Sequence, residues 1–210
     1  MNDLSASITR EHRGRLLQAM AQSVAAKGYA DTTIADVVRE AGVSRRTFYE
    51  QFSDKAECFT ALYEAASRGA LQVLRDAIDP KHGWEEQLER ALSAYLGSMA
   101  ANPVLLRTLF VEILALGPDG LEARRRVNRE LADYMVAVVN AADSPHRVTP
   151  QLAMAVVGGI HELVLQAIEQ GREDKLAELT ATAAELVKAV AHRPGWEGHN
   201  HPREGGGPGL

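Results

Sequence analysis

Apolar residues in this chain recur every three or four positions almost from end to end, and no stretch alternates apolar with polar as a half-buried strand would. The expected fold class is therefore all-α. Leu17, Met20, Ala21 and Val24 make the stripe of a first helix over about 8–27, stopped by Gly28 after Lys27. Thr33 opens a second helix as its N-cap, with Asp36 placed to reach back as a variant capping box, and Gly42 ends it after Ile34, Val37, Val38 and Ala41. Val43 sits in the turn, Ser44 caps a short helix through about Gln51, and Phe48 and Phe52 share one face at i, i+4. A fourth helix, capped by Ser53 or Asp54, carries Phe59, Leu62, Tyr63 and Ala66 toward Ile78 before Asp79, Pro80 and Gly83 break it. Further helices are expected at about 83–101, 103–116, 119–142, 149–170 and 173–191, between Gly and Pro punctuation.

Composition narrows the class of partner. An apolar fraction of 46% and a charged fraction of 24% describe a folded globular chain. The lone Cys58 and the polar first residues, without an apolar leader, predict a cytoplasmic protein, and no segment approaches the roughly 18 apolar residues of a membrane span. The net charge of −5 is unevenly spread, since residues 8–55 hold 8 Lys and Arg against 6 Asp and Glu while the remainder holds 15 against 22. Any phosphate-binding surface must be local and N-terminal.

Two short helices joined by a Gly-containing turn make a helix-turn-helix, whose second member lies in a DNA major groove. Here that member is Ser44 to Gln51, and with Phe48 and Phe52 inward the opposite face presents Arg45, Arg46, Thr47, Tyr49 and Glu50. Arginine's planar fork can bond O6 and N7 of guanine, so base reading is expected from Arg45 or Arg46 with Thr47 assisting. Tyr49, Lys55 and Thr33 are expected on the phosphate backbone, Thr33 through the free amides and dipole of its helix N-terminus.

The run from Thr33 to Phe59, TIADVVREAGVSRRTFYEQFSDKAECF, resembles the DNA-binding domain of the tetracycline-repressor (TetR) family. The likeness rests on Thr33, the Gly42-Val43-Ser44 turn, the Phe48-Tyr49-x-x-Phe52 spacing and Lys55, and covers roughly residues 8–65. It maps the family's recognition helix onto Ser44 through Gln51 and its phosphate contacts onto Thr33, Tyr49 and Lys55; Glu50 departs from the small, basic or aromatic residues often found there. It also implies dimerisation through the last two long helices and a mostly apolar inducer.

The division expected is a DNA-binding domain over 1–53, a helical effector-binding and dimerisation domain over 54–192, and a disordered Gly-, Pro- and His-rich tail over 193–210. For the dimer interface, Leu152, Ala155, Val156, Gly159 and Leu163 stripe one helix, while Leu176, Leu179, Ala183, Leu186 and Val190 stripe the last. Gly158-Gly159 costs about 1 kcal/mol per glycine against alanine, so a close helix approach is expected there. For an effector cavity the candidates are Trp84, Tyr95, Met99 and Phe110, with Tyr134 and Met135, and His161 and Gln166 as polar contacts. About a third of these are expected to touch a ligand, the rest being core.

No cofactor, metal or enzymatic role is expected. His161 and Glu162 are adjacent in a helix and point apart, Glu112 stands alone, and His192, His199 and His201 read as incidental histidines of the tail. The leading expectation is a homodimeric repressor on a palindromic double-stranded DNA operator, released by a small-molecule effector acting through helix four. The competing one is a helical ligand-binding or interaction protein without operator binding.

Overall fold

A computed structural model of the chain describes residues 2–79, 81–141 and 146–191. The tail 193–210 and its histidines, with His192, lie outside the described residues. All the regular structure described is helical: α1 Asn2–Asp31, α2 Ile34–Ala41, α3 Arg45–Tyr49, α4 Lys55–Asp76, α5 Trp84–Ala100, α6 Pro103–Glu112, α7 Pro118–Val139, α8 Pro150–Glu169 and α9 Thr180–Ala191. Helix one begins earlier than the stripe suggested, but its break is where expected, at Gly28 with φ +80°.

The N-terminal helices end where short-range chemistry ends them. Thr33 accepts from the Asp36 amide while the Asp36 carboxylate accepts from the Thr33 amide, a complete capping box. Gly42 closes α2 at φ +62°, and a Cβ there would stand 2.8 Å from the Arg15 guanidinium, which itself donates to the Gly42 carbonyl at 3.0 Å. Ser44 caps α3 by accepting from the Thr47 amide, and Asp54, of the two candidates, caps α4 by accepting from Glu57.

Two expected helices contain 3₁₀ segments. The stretch expected as one helix over 103–116 is α-helical only to Glu112 and tightens to 3₁₀ over Ile113–Leu116, because Pro118 disfavours continuing helix in the residue before it. The stretch expected over 173–191 starts as 3₁₀ over Glu173–Leu179, with Lys175 off helical geometry, and becomes α-helical at Thr180. No Gly or Pro announces that second change of period.

One cluster of buried residues runs from Leu16 to Ala191. Its N-terminal part is Leu16, Met20 and Val24 of α1 with Val37, Phe48, Phe52 and Phe59, all at most 2% exposed. α4 leads from this cluster into the rest, packing on α1 at one end and on α5 and α7 beyond; α8 lies on α7, and α9 on α5 and α8. α8 alone among the described helices is long and apolar enough by composition to cross a membrane, at mean hydropathy 1.4, yet 44% of that window is buried inside the fold. Its apolarity is that of a core helix.

Candidate functional site

The short α3 is held by one side chain. Phe48 is fully buried, its ring 5.7 Å from Phe52 and edge-on to Tyr49 at 5.5 Å. A helix of five residues with Phe48 turned inward sends Arg45, Arg46 and Tyr49 outward, and all three are exposed, Tyr49 at 57%. Two α1 arginines brace the unit from behind: Arg13 stacks on Phe52 at 4.5 Å, and Arg15 reaches the end of α2. The outward groups are not equivalent. Arg46 is paired with Glu50 at 3.0 Å, whereas Arg45 has no ion pair among the described residues, and Thr47 is tied to Ser44 through the cap.

Two of the three expected phosphate contacts are otherwise engaged. The Lys55 ammonium donates to the carbonyls of Tyr29 and Thr32, each at 2.8 Å, approaches that of Ala30 at 3.4 Å, and lies 4.2 Å from the Tyr29 ring centroid. With its three donors directed at the loop ending α1, Lys55 fastens α4 to α1, and the phosphate role expected of it does not fit this geometry. Thr33 is turned inward on its own helix: its amide and hydroxyl both donate to Asp36 Oδ2, at 2.9 and 2.6 Å. Asp36 also pairs with Lys27 and Arg39, and these bonds hold its carboxyl far below the ordinary carboxylate range. An anion of the chain's own already occupies the N-terminus of α2.

A second attachment joins the same loop to α6. Glu112, which looked solitary in the sequence, accepts the Tyr29 amide at 2.8 Å and lies against Gly28, where a Cβ would come within 3.7 Å of its carboxylate. The end of α1 is therefore gripped by α4 through Lys55 and by α6 through Glu112.

Between α4, α5, α6, α7 and α8 lies a cavity of about 340 Å³. Four of the eight ligand candidates line it, namely Tyr95, Met99, Phe110 and His161. Tyr134 and Met135 line a smaller neighbouring chamber of about 100 Å³, which also touches Tyr95 and His161. Trp84 and Gln166 line neither. Trp84 starts α5 and rests on the His146 ring at 4.3 Å, and Gln166 is exposed on the outer face of α8. The sequence reading missed Tyr63, Ser67 and Gly69 of α4 and Asn102, Leu105 and Leu106 around the start of α6. A helix read as the connector to the DNA-binding unit gives no sign that its far half also walls a cavity.

No Lys, Arg, Asp or Glu lines the larger cavity. Ser67 and Ser98 donate to their own helix, to the carbonyls of Tyr63 and Tyr95, and the Asn102 oxygen accepts the Leu105 amide. Tyr95 Oη and His161 Nε2 share a hydrogen bond of 3.1 Å, with Phe110 edge-on to the imidazole at 5.4 Å. Burial, with a smaller contribution from the Arg124 charge, lowers the His161 pKa to about 4, and burial raises that of the Tyr95 hydroxyl. Both are neutral at pH 7, so the cavity offers a neutral, mostly apolar wall. Burial also pushes the Cys58 thiol up to about 12, keeping it protonated and unreactive.

The expected dimer stripe is part core and part half-buried surface. Val156, Leu176 and Ala183 are at most 2% exposed within a single chain, and Leu152, Leu163, Leu179, Leu186 and Val190 are half-buried. A 3-4 repeat marks the buried face of a helix but not whose chain buries it, and the 3₁₀ segment shifts the phase between Leu176 and Ala183. Exposed on the same two helices are Ala155 of the expected stripe, Met154 and Glu162 of α8, and Thr182, Glu185 and Ala189 of α9. The two glycines divide along the same line. A Cβ on Gly159 would stand 3.2 Å from Leu186, so its absence serves packing of α9 on α8 within the chain, whereas one on Gly158 would meet nothing within 4 Å.

Residues 16–62 match the family model described as bacterial regulatory proteins, tetR family. Among curated proteins, the chain is 25% identical over 146 residues to the nucleoid occlusion factor SlmA of Marinomonas sp. (strain MWYL1), covering 69% of this chain and 74% of that protein. It is 21% identical over 186 residues to the fatty acid metabolism regulator protein of Bacillus subtilis (strain 168), covering 85% and 94%. Among solved structures, the transcriptional regulator FadR from Bacillus subtilis, in complex with stearoyl-CoA, superposes with a TM-score of 0.67 at 18% identity, over 85% of this chain and 98% of that one.

Two outcomes follow from this geometry. Lys55→Gln should lower stability by about 1–3 kcal/mol, the usual loss for hydrogen bonds to a charged group, while leaving the salt dependence of duplex binding unchanged. Loss of a true phosphate contact would reduce that slope by about 1. For His161, the unfolded chain takes up a proton near pH 6.5 that the folded chain refuses until about 4, so its share of stability is complete above 6.5 and is lost as the pH falls toward 4. Chemical denaturation at pH 7 and pH 5 should show a loss in the native chain that is markedly smaller in His161→Gln.

Proposed function

This chain is a TetR-family transcriptional regulator, and from that premise we propose that it works as a homodimeric repressor on a palindromic operator, released by a small apolar effector. The observation that carries the reading is the exposed outer face of α3, with Arg45 uncommitted, on a helix whose orientation Phe48 fixes. Arg45 is the base-reading residue, its fork directed at a guanine edge, and Tyr49 contacts the backbone. Arg46 is held back by Glu50 and acts as a tuned reserve of positive charge. One such unit reads few base pairs, so two are used, on half-sites about one helical turn or more apart.

The second copy is proposed to dock on the outer face of α8 and α9, where Gly158 leaves room for a close approach. The effector is proposed to occupy the cavity behind α6. The absence of charged lining residues supports a mostly apolar ligand, in keeping with two similar proteins, one a regulator of fatty acid metabolism and one solved in complex with stearoyl-CoA. Leu105, Leu106, Leu109 and Phe110 of α6 face that cavity while Glu112 at the end of the same helix holds Tyr29. A ligand that prefers a shifted α6 would move the end of α1, and with it α3, by its differential affinity for the two positions. α4 supplies a parallel route from Tyr63 and Ser67 to Lys55.

Selection of bound sequences from a random duplex library should return a palindrome. Against that sequence, Arg45→Ala should cost about 1–3 kcal/mol and relax preference at one position per half-site. Glu50→Gln should tighten binding to all duplexes by roughly two- to fivefold, the scale of an exposed charge pair, by releasing Arg46. Unchanged affinity in Arg45→Ala would remove the base-reading assignment. Gly158→Glu, at a position where an added Cβ has open space within 4 Å, should retain helicity but sediment as a monomer; a dimer of unaltered strength would place the interface elsewhere.

A further inference from the structure

The larger cavity and the smaller chamber behind it share three wall residues, Tyr95, Leu131 and His161. The larger one reaches the surface beside Gly69 and Asn102, both exposed, and the smaller one lies between α4, α7 and α8, walled by buried Val156, Val157 and Ile160 and half-buried Leu74 and Val138. The two are thus adjacent compartments that meet at a tyrosine and a histidine, which satisfy each other through a hydrogen bond of 3.1 Å. Polar side chains are rare in so apolar an interior, and these two stand, with Leu131, in the wall common to both compartments.

Resting on the reading of this cavity as the effector site, we propose that Tyr95 and His161 form a movable partition, and that the site takes a straight-chain amphiphile whose alkyl tail passes the partition while its polar head stays at the mouth beside Asn102. Three observations set the ligand class. At about 100 Å³ the inner chamber is smaller than the ~150 Å³ engineered apolar cavity that holds benzene, so a slender chain fits it more readily than a ring. Apart from Tyr95, His161 and Tyr134 its lining is aliphatic or Met, which excludes a polar group at the inner end. At the outer end, exposed Asn102 gives a head group access to water. The partition makes length the selected quantity: short tails lie in the outer chamber with the Tyr95–His161 bond intact, and longer ones gain apolar burial inside at the expense of that bond.

The test is calorimetric binding of octanoate, decanoate and tetradecanoate, with biphenyl-4-carboxylate as the ring-bearing control, to the native full chain and two variants. In the native chain affinity should rise with chain length, by up to about fourfold per methylene newly buried, with a smaller gain where the tail reaches the partition. Tyr95→Phe keeps the ring and removes the hydrogen bond, so tetradecanoate should bind roughly two- to tenfold tighter while octanoate and the biphenyl control are unchanged. Val157→Phe fills only the inner chamber, so tetradecanoate should weaken by tenfold or more with octanoate unchanged; should this variant fail to fold by circular dichroism, Tyr95→Phe decides alone. The inference is overturned if affinity is flat beyond octanoate, if the variants shift short and long probes alike, or if no probe binds. Duplex binding by the same preparations, read without any probe, shows independently whether the regulator reading stands.

Discussion

Burial of the Phe48 ring is the constraint from which the N-terminal unit follows. Five residues of helix have no stability of their own, so α3 exists because Ser44 caps it and because Phe48 is fully enclosed among Phe52 and the helices around it. Turning that ring inward fixes the rotation of the helix. Arg45, Arg46 and Tyr49 then have only solvent, or a duplex, to face. The arginines of α1 complete the support, Arg13 through a ring face and Arg15 through the carbonyl end of α2, so two basic residues that could have served a phosphate surface serve geometry.

The junction between the two halves is built from charged groups bonded to backbone. Lys55 and Glu112 reach the end of α1 from different helices, one satisfying carbonyls and the other an amide, within a loop already broken by Gly28. Hydrogen bonds to ionised groups are directional and stronger than neutral ones, so these bonds hold the end of α1 at a defined place against α4 and α6. It ties the helices that wall the cavity to the element that sets α3.

The cavity owes its character to how its polar groups are used. Serines that look available donate to their own helix, Asn102 caps the start of α6, and Tyr95 and His161 answer each other. A ligand therefore meets satisfied polar groups and apolar surface.

The sequence alone determined the all-α class, the short-range stops at Thr33, Gly42, Ser44 and Asp54, and the identity of the outward face of α3, because capping, turn geometry and helical period act within a few residues of each other. Those signals also carry the family resemblance. Tertiary structure decided what depends on partners distant in the chain. Lys55 and Thr33 have the composition of phosphate contacts, but carbonyls of residues 29 and 32 and the carboxylate of Asp36 claim them first. Glu112 gains a partner 83 positions away. The periodicity of α8 and α9 gave a buried face without saying which chain buries it, so Val156, Leu176 and Ala183 are core and Gly158 is left outward. Four of the eight side chains expected at a cavity do line it, legible as aromatic, Met or His at helical spacing; Tyr63, Ser67 and Asn102 were not, because enclosure is a property of where helices cross, and one chain's pattern records the period of each helix but not the crossing.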